Sequence, residues 1–299
     1  MAPNSNIHWD PENVKNFDFN SIKVLIVGGT GGLGNAIATE LVNKGSDVTV
    51  IGRTFRDNEK SNLHFIKADL SLVKNCEDVV KNLRKDNTVN DFTHVIFTSG
   101  IFSSRTRQAT EEGIERDMAI SYLSRYIILK GIQSQLTKTF KTNDIQAKPR
   151  VFVMGFPGNN NAGNPDDMNG KPENYNFLKV HMNTVAANEA LVLHYAKETT
   201  SFNIFGLNPG IIKTNIRTNL TGTGFLARMM ENVMSFFQQT PESYASKIVP
   251  LLVTSEIENN NGSMFDNNAN GLLRSENVVP NVEKFWENSS KLVDLANSK

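Results

Sequence analysis

A doubly wound α/β domain, with a mainly parallel sheet of about seven strands and helices on both faces, is the fold class this sequence predicts. Three observations predict it. A buried strand near the N-terminus runs into a glycine-rich turn and an amphipathic helix. Further short apolar runs, at 63–68, 94–97, 150–154 and 202–207, alternate with helical stretches. The length, 299 residues, suits one such domain with short appended arms.

The first unit sets the frame. Ile22, Val24, Leu25, Ile26 and Val27 are apolar and mostly β-branched, and they end at Gly28-Gly29-Thr30-Gly31-Gly32-Leu33-Gly34. Leu33, Ile37 and Leu41, with Ala36 and Val42 beside them, recur at helical spacing until Gly45, and Asp47 to Ile51 reads as a second strand. In such a unit Gly28 permits the tight turn, Gly32 lets the backbone approach a pyrophosphate, and Gly34 lets the helix sit close to the strand. Phosphates would then face the free N–H groups and positive end of the helix. The unit predicts a Rossmann-type dinucleotide site.

The later elements follow in order. Leu63 to Ala68 is a third strand, after which Asp69-Leu70-Ser71 leads into a helix striped by Leu72, Val73, Cys76, Val79, Val80 and Leu83, with Ser71 as its expected cap. His94 to Phe97 is the fourth strand, ending at Thr98-Ser99-Gly100, and a long helix is expected from about Thr110 to beyond Leu129. Arg150 to Met154 forms the fifth. Pro172 suits the first turn of a helix, which would carry Tyr175 there and Lys179 one turn on, on one face. Phe202 to Leu207 is the sixth strand, and Gly262 to Asp266 ends the seventh. Between them, residues 215–239 are apolar and Met-rich; they suit either a lid over an apolar substrate or a surface helix packed on the sheet or a partner. Thr240-Pro241-Glu242-Ser243 caps another helix, and a C-terminal helix follows.

Composition excludes several classes. Lysine plus arginine and aspartate plus glutamate each number 31, so nothing points to nucleic acid or an acidic membrane surface. The single cysteine, Cys76, allows no internal disulfide and falls on the apolar side of its helix, where core is the expectation. Residues 1–21 read as a polar arm without the pattern of a secretory signal, and no apolar run is long enough to span a bilayer, so a cytoplasmic protein with no membrane span is expected. No metal is expected.

The glycine spacing carries a resemblance. Gly28, Gly32 and Gly34 stand as G-x-x-x-G-x-G, with Val27 where threonine is common, and this resembles the short-chain dehydrogenase/reductase superfamily. Glu112-Gly113-Ile114-Glu115 with Met118, Ile120, Leu123 and Tyr126, and the closing Phe285-Trp286-Glu287-Asn288-Ser289, resemble its retinol-dehydrogenase-like branch. A similar set of features occurs in fungal aldehyde reductases. The resemblance spans about residues 22 to 295. It implies an NAD(P)H-dependent oxidoreductase that reduces an aldehyde or ketone to an alcohol, with a small-molecule carbonyl substrate, and it offers the helices at 110–130 and 172–199 as the face of a possible homodimer. An open cleft with one carbonyl donor lost would suit small reactive aldehydes.

Residue by residue, the resemblance places Gly28, Gly32, Leu33 and Gly34 at the pyrophosphate, Asp69 and Leu70 at the adenine, and Ser99 and Gly100 beside the nicotinamide ribose. Pro209, Gly210, Ile212 and Thr214 fall at the carboxamide, within a match to Pro-Gly-x-Val-x-Thr. Gly52-Arg53 ends the second strand without a carboxylate, which leans toward NADPH because an arginine there pairs with a 2′-phosphate, although NADH stays open. Tyr175 would be the proton donor and Lys179 its cation, and Ser121 stands where the family holds a relay water on asparagine. A second alignment, anchored downstream at Pro209-Gly210, instead puts the family's tyrosine on His181 and its lysine on Val185. The family's paired serines are here Gly155 and Phe156, and Asn159, Asn160 and Asn161 are either substitute amide donors or loop filler. These departures also fit a second class, a cofactor-bound protein that does no chemistry and acts as a redox-sensing or interaction module.

Overall fold

The computed structural model describes residues 1–55, 60–210 and 239–299. The strands are β1 (Lys23–Val27), β2 (Asp47–Gly52), β3 (Leu63–Lys67), β4 (His94–Phe97), β5 (Phe140–Thr142), β6 (Ile145–Ala147), β7 (Arg150–Met154), β8 (Asn203–Leu207), β9 (Met264–Phe265) and β10 (Gly271–Leu272). Eight of them form one sheet in the order β10-β9-β8-β7-β4-β1-β2-β3, all parallel except the edge pair of β10 on β9. The chain winds outward from β1 through β2 and β3, then returns and winds the other way from β4. The reversal opens a crevice at the carboxyl ends of β1 and β4, where doubly wound sheets bind ligands.

Alternation along the strands divides the core. Val24 and Ile26 face one layer, with Ile37 and Leu41 of α1 (Gly32–Asn43) and Tyr244 and Ile248 of a helix at Pro241–Val253. Leu25 and Val27 face the other, with α2 (Val73–Lys85), a helical run from Arg116 to Ile132, α5 (Phe177–Glu198) and a C-terminal helix. That run comprises α3 (Arg116–Met118), one turn of π-helix at Ala119–Leu123, and α4 (Ser124–Ile132). The helices after α5 are α6 (Pro241–Val253) and α7 (Val282–Asn297). The sheet is therefore sandwiched, as one α/β domain. Cys76 is buried within α2, as expected.

Several expectations need correction. The main sheet gains an eighth, antiparallel strand, and the N-terminal arm adds to that edge through Asn4 N to Gly271 O (2.8 Å) and Leu273 N to Ala2 O (3.0 Å). The β5–β6 hairpin was not foreseen; its Phe140 packs on His94 and beneath the Arg150 guanidinium. The helix expected from Thr110 starts only at Arg116, because Gly113 turns back at φ 79° and the Glu115 side chain caps the helix by accepting from Met118 N (2.9 Å). Ser71 does not cap α2: the Glu112 carboxylate, brought in from beyond β4, accepts from Val73 N (2.6 Å) and Lys74 N (3.0 Å). Thr240 does cap α6, accepting from Ser243 N.

The face that α4 and α5 would offer to a second subunit is covered by α7. Trp286 stacks on His194 (3.9 Å between centroids) and stands edge-on to Tyr126 and Tyr195, while the Tyr122 hydroxyl pairs with Ser289 Oγ (2.7 Å). A homodimer would have to use another surface. No helix among the described residues is long and apolar enough to cross a membrane.

Candidate active site

The glycine-rich turn has the geometry of a phosphate cradle. Gly28 has φ 96°, and a Cβ there would lie 2.7 Å from Ser99 Cα, so only glycine lets the turn after β1 pass the end of β4. A Cβ on Gly34 would meet the Gly28 carbonyl oxygen at 2.5 Å, which is how α1 starts so close beneath the strand. Gly31, the N-cap of α1, offers no side chain to its first N–H groups, and a Cβ on it would meet nothing within 4 Å. A helix start without a side-chain cap is what an anion site requires. Leu33 is half-buried under the turn.

The remaining cofactor candidates lie along the same edge. Arg53 is exposed just past β2, and the Thr30 side chain fills the space over Gly52 that a larger residue would take. Asp69 is exposed, with one oxygen accepting from Ser71 N (3.0 Å), and Leu70 is buried beside it. Ser99 is buried at the end of β4 with no hydrogen-bond partner for its hydroxyl among the described residues, and a Cβ on Gly100, which follows it, would sit in ordinary contact with Ser121 Oγ (3.6 Å). An open helix start, a glycine cradle and an orphaned buried hydroxyl at one crevice fit a dinucleotide. Pro209 and Gly210 follow β8, where the Asn208 side chain closes the turn onto Gly210 N (2.9 Å). Ile212 and Thr214, and the segment expected as a lid at 215–239 apart from Gln239, lie outside the described residues.

The expected catalytic pair does not share a helix face. Pro172–Asn174 is a single 3-10 turn, Tyr175 is extended (ψ 123°), and α5 begins only at Phe177 with Asn176 as its cap. Proline starts a turn here, but the Asn176 carboxamide, accepting from Lys179 N, captures the helix start five residues later than expected. The Tyr175 hydroxyl donates to the Ser104 carbonyl (3.1 Å) and Glu115 Oε1 (3.2 Å), and Lys179 is exposed. Burial, then the Glu115 charge, push the phenol upward, the opposite of what a proton donor near neutral pH requires. Burial likewise pushes the Glu115 carboxyl up to about 7.

A different pair faces Ser121. His181, on the second turn of α5, meets Asp117 Oδ2 through Nδ1 at 2.8 Å, with its ring 4.1 Å from that of Phe102. Asp117 is fully buried. Its carboxylate also accepts from the Ser103 hydroxyl (2.8 Å) and from the Ser121 hydroxyl, which in turn accepts from Ile101 N (3.0 Å). Three donors therefore fix the carboxylate and hold the imidazole by Nδ1, leaving Nε2 as the nitrogen for exchange. The turn of π-helix carries Ser121, displacing it from regular α-helical register. One turn further, Arg125 donates to the Ser99 and Met154 carbonyls and to Asn188 Oδ1, and Asn188 donates to the Ser121 carbonyl (2.8 Å). Val185, on the rival alignment's lysine position, is buried and apolar.

Sequence reasoning passed over Asp117, Ser103, Arg125 and Asn188. A signal for part of this was present: Asp117, Ser121 and Arg125 recur every four residues along an otherwise apolar helix, which marks one polar seam. The asparagine run is tied into its own loop. Asn159 and Asn161 accept from the backbone N–H groups of Asn161 and Gly163, and Asn160 accepts from Asn277 N, so these amides close the loop.

Comparison with known proteins agrees with the fold and the cradle. Residues 23–143 match the family model described as short chain dehydrogenase. An uncharacterized oxidoreductase of Saccharomyces cerevisiae is 46% identical over 294 residues, covering 97% of this chain and 94% of that protein. Retinol dehydrogenase 14 of Mus musculus is 22% identical over 302 residues, covering 91% and 86% of the two chains. Among solved structures, the ligand-free aldohexose dehydrogenase of Thermoplasma acidophilum superposes with a TM-score of 0.59 at 15% identity, over 85% of this chain and 96% of that one. With its G-x-x-x-G-x-G turn on a doubly wound sheet and a relative of this closeness along its whole length, the chain belongs to the short-chain dehydrogenase/reductase superfamily, in the retinol-dehydrogenase-like branch.

Proposed function

We propose that this oxidoreductase reduces an aldehyde carbonyl with NADPH, and that His181, held by Asp117, is its proton donor in place of Tyr175. The observation that carries the reading is the His181–Asp117 contact at the helix position facing Ser121, beside the residues that follow β4. When bound, the cofactor supplies hydride to the carbonyl carbon. His181 gives the Nε2 proton to the carbonyl oxygen and is left neutral, keeping its Nδ1 proton, which still donates to Asp117; alcohol oxidation reverses the transfer. Asp117 fixes which nitrogen exchanges, and the hydroxyls of Ser103 and Ser121 hold its carboxylate oriented. Phe102, packed on the imidazole ring, and Phe156, in the family's serine position, make the substrate side apolar.

Loss of the serine donor removes an interaction that typically supplies a 10²- to 10³-fold rate gain, which favours reactive aldehydes over ketones. Arg53, with no carboxylate at the end of β2, supports NADPH over NADH. The segment at 215–239 would cover the substrate in this reading, within a cytoplasmic enzyme.

The exposed Lys179 and apolar Val185 leave neither alignment with the family's tyrosine–lysine pair, and this favours a second reading as a cofactor-binding module without turnover. The two separate when purified protein is mixed with NADPH or NADH and a panel of aldehydes and absorbance loss is followed. The first reading expects turnover that His181→Gln abolishes and Tyr175→Phe changes by a few-fold. Turnover lost in Tyr175→Phe and kept in His181→Gln would return the role to Tyr175, and binding without turnover would favour the module.

A further inference from the structure

Arg125 is fully buried at the carboxyl edge of the sheet, and no carboxylate among the described residues touches it. Its guanidinium donates to the carbonyls that end β4 (Ser99) and β7 (Met154) and to Asn188 Oδ1, while Nε has no acceptor among the described residues. Burial pushes it down to about 9, so it carries its charge at neutral pH. Asp117 is the nearby anion, but its oxygens are taken by Ser103, Ser121 and His181. A buried cation whose direct partners are carbonyl dipoles, with the Asp117 charge acting on it only at longer range, is a costly way to fasten two strands, since a methionine of similar length would fill the space without desolvating a charge.

Its position suggests what that charge does. A Cβ built on Gly100, the first residue past Ser99, would lie 3.6 Å from Ser121 Oγ and 3.8 Å from Arg125 Nη2, so the guanidinium packs beside the backbone that follows β4 at the crevice. The nicotinamide ring is cationic when oxidised and neutral when reduced. A fixed positive charge beneath the site raises the free energy of the oxidised form alone.

We propose that Arg125 makes the site bind the reduced cofactor in preference to the oxidised one, and so sets the chain to work as a reductase. This rests on the cofactor reading above and is independent of which residue donates the proton. The test is equilibrium binding of NADPH and NADP⁺, followed by ligand fluorescence and calorimetry, for the wild type, Arg125→Met and Arg125→Lys. The wild type is expected to hold NADPH at least about tenfold tighter than NADP⁺; Arg125→Met should remove most of that ratio and Arg125→Lys retain it. Equal affinities in the wild type would overturn the proposal without any variant. A ratio unchanged in Arg125→Met would also overturn it and leave the residue a structural tie. Binding of neither form to the wild type would instead remove the cofactor reading, and this proposal with it.

Discussion

Replacing Asp117 with asparagine isolates the charge that the proposed proton donor leans on. The side chain is fully buried and receives three hydrogen bonds, from His181 Nδ1, Ser103 Oγ and Ser121 Oγ. Asparagine keeps the shape and one oxygen, which can still accept from His181 and Ser103. Its amide would face Ser121, whose own proton has an alternative acceptor in the Ile101 carbonyl (3.4 Å). The network can therefore re-form with no buried group left bare, and stability should fall by only about 1 kcal/mol, against roughly 3 for an alanine that strands the His181 and Ser103 donors. Catalysis should respond far more. Without the carboxylate, nothing favours the imidazolium or the required tautomer, and kcat should drop about 10²- to 10³-fold, or roughly 3 to 4 kcal/mol of barrier. Stopped-flow aldehyde reduction beside urea unfolding gives both numbers on one preparation, and NADPH affinity should change little. A kcat within threefold of wild type in a folded Asp117→Asn would refute the assignment of this pair to the chemistry.

Three further outcomes follow from named contacts. Burial, then the Arg150 charge, push His94 down to about 3 in the folded chain against an ordinary 6.5, so the unfolded chain binds the extra proton between those values and stability falls as pH drops through them. Glu115, raised from 4.5 to about 7, works in reverse: the native state holds the extra proton, and stability rises as pH falls from 7 to 4.5. Urea midpoints of the wild type should therefore be nearly flat from pH 6.5 to 4.5, rising on acidification in His94→Gln and falling in Glu115→Gln by up to about 1.4 kcal/mol per pH unit; parallel curves would sink both attributions. Trp286→Ala, which unstacks His194 and uncovers Tyr126 and Tyr195, should cost about 3 kcal/mol in thermal unfolding and promote self-association on sizing columns. Arg53→Ala should weaken NADPH binding by about tenfold and leave NADH within threefold; an equal loss for both would show that the guanidinium does not read the 2′-phosphate.

The sheet was legible because buried parallel strands write themselves as apolar runs. β1, β4, β7 and β8 were found within a residue or so, and Gly28 and Gly34 by the close approaches that their spacing demands. What escaped depended on partners distant in the chain. The capping of α2 by Glu112 spans nearly forty residues and leaves no local trace, whereas Ser71, the local candidate, is drawn into a turn with Asp69. The start of α5 was misplaced for a related reason. Pro172 signals a helix start truthfully, but only for one 3-10 turn, and the cap that sets the register of α5 is Asn176. Once α5 begins at Phe177, His181 reaches Asp117 and Tyr175 is left outside.

The nature of the acid dictates the sign of the charge beside it, and that logic unites the departures at this site. A phenol titrates near 10, so a tyrosine acid requires a cation close by to favour loss of its proton. An imidazole exchanges protons near neutrality and, as the cation of its pair, is matched by a carboxylate. Placing Asp117 beside a tyrosine would raise the phenol further, as Glu115 does to Tyr175; placing a lysine beside His181 would oppose its protonation. Histidine at 181, aspartate at 117 and valine at 185 are thus one coherent change, in which the lysine's absence follows from the histidine's presence. On the proposed reading the site's positive charge lies on α4 as Arg125, separated from His181 by Asp117 and tied to the residues that follow β4 and end β7, where it would act on the cofactor's side of the crevice and leave the proton donor to its carboxylate.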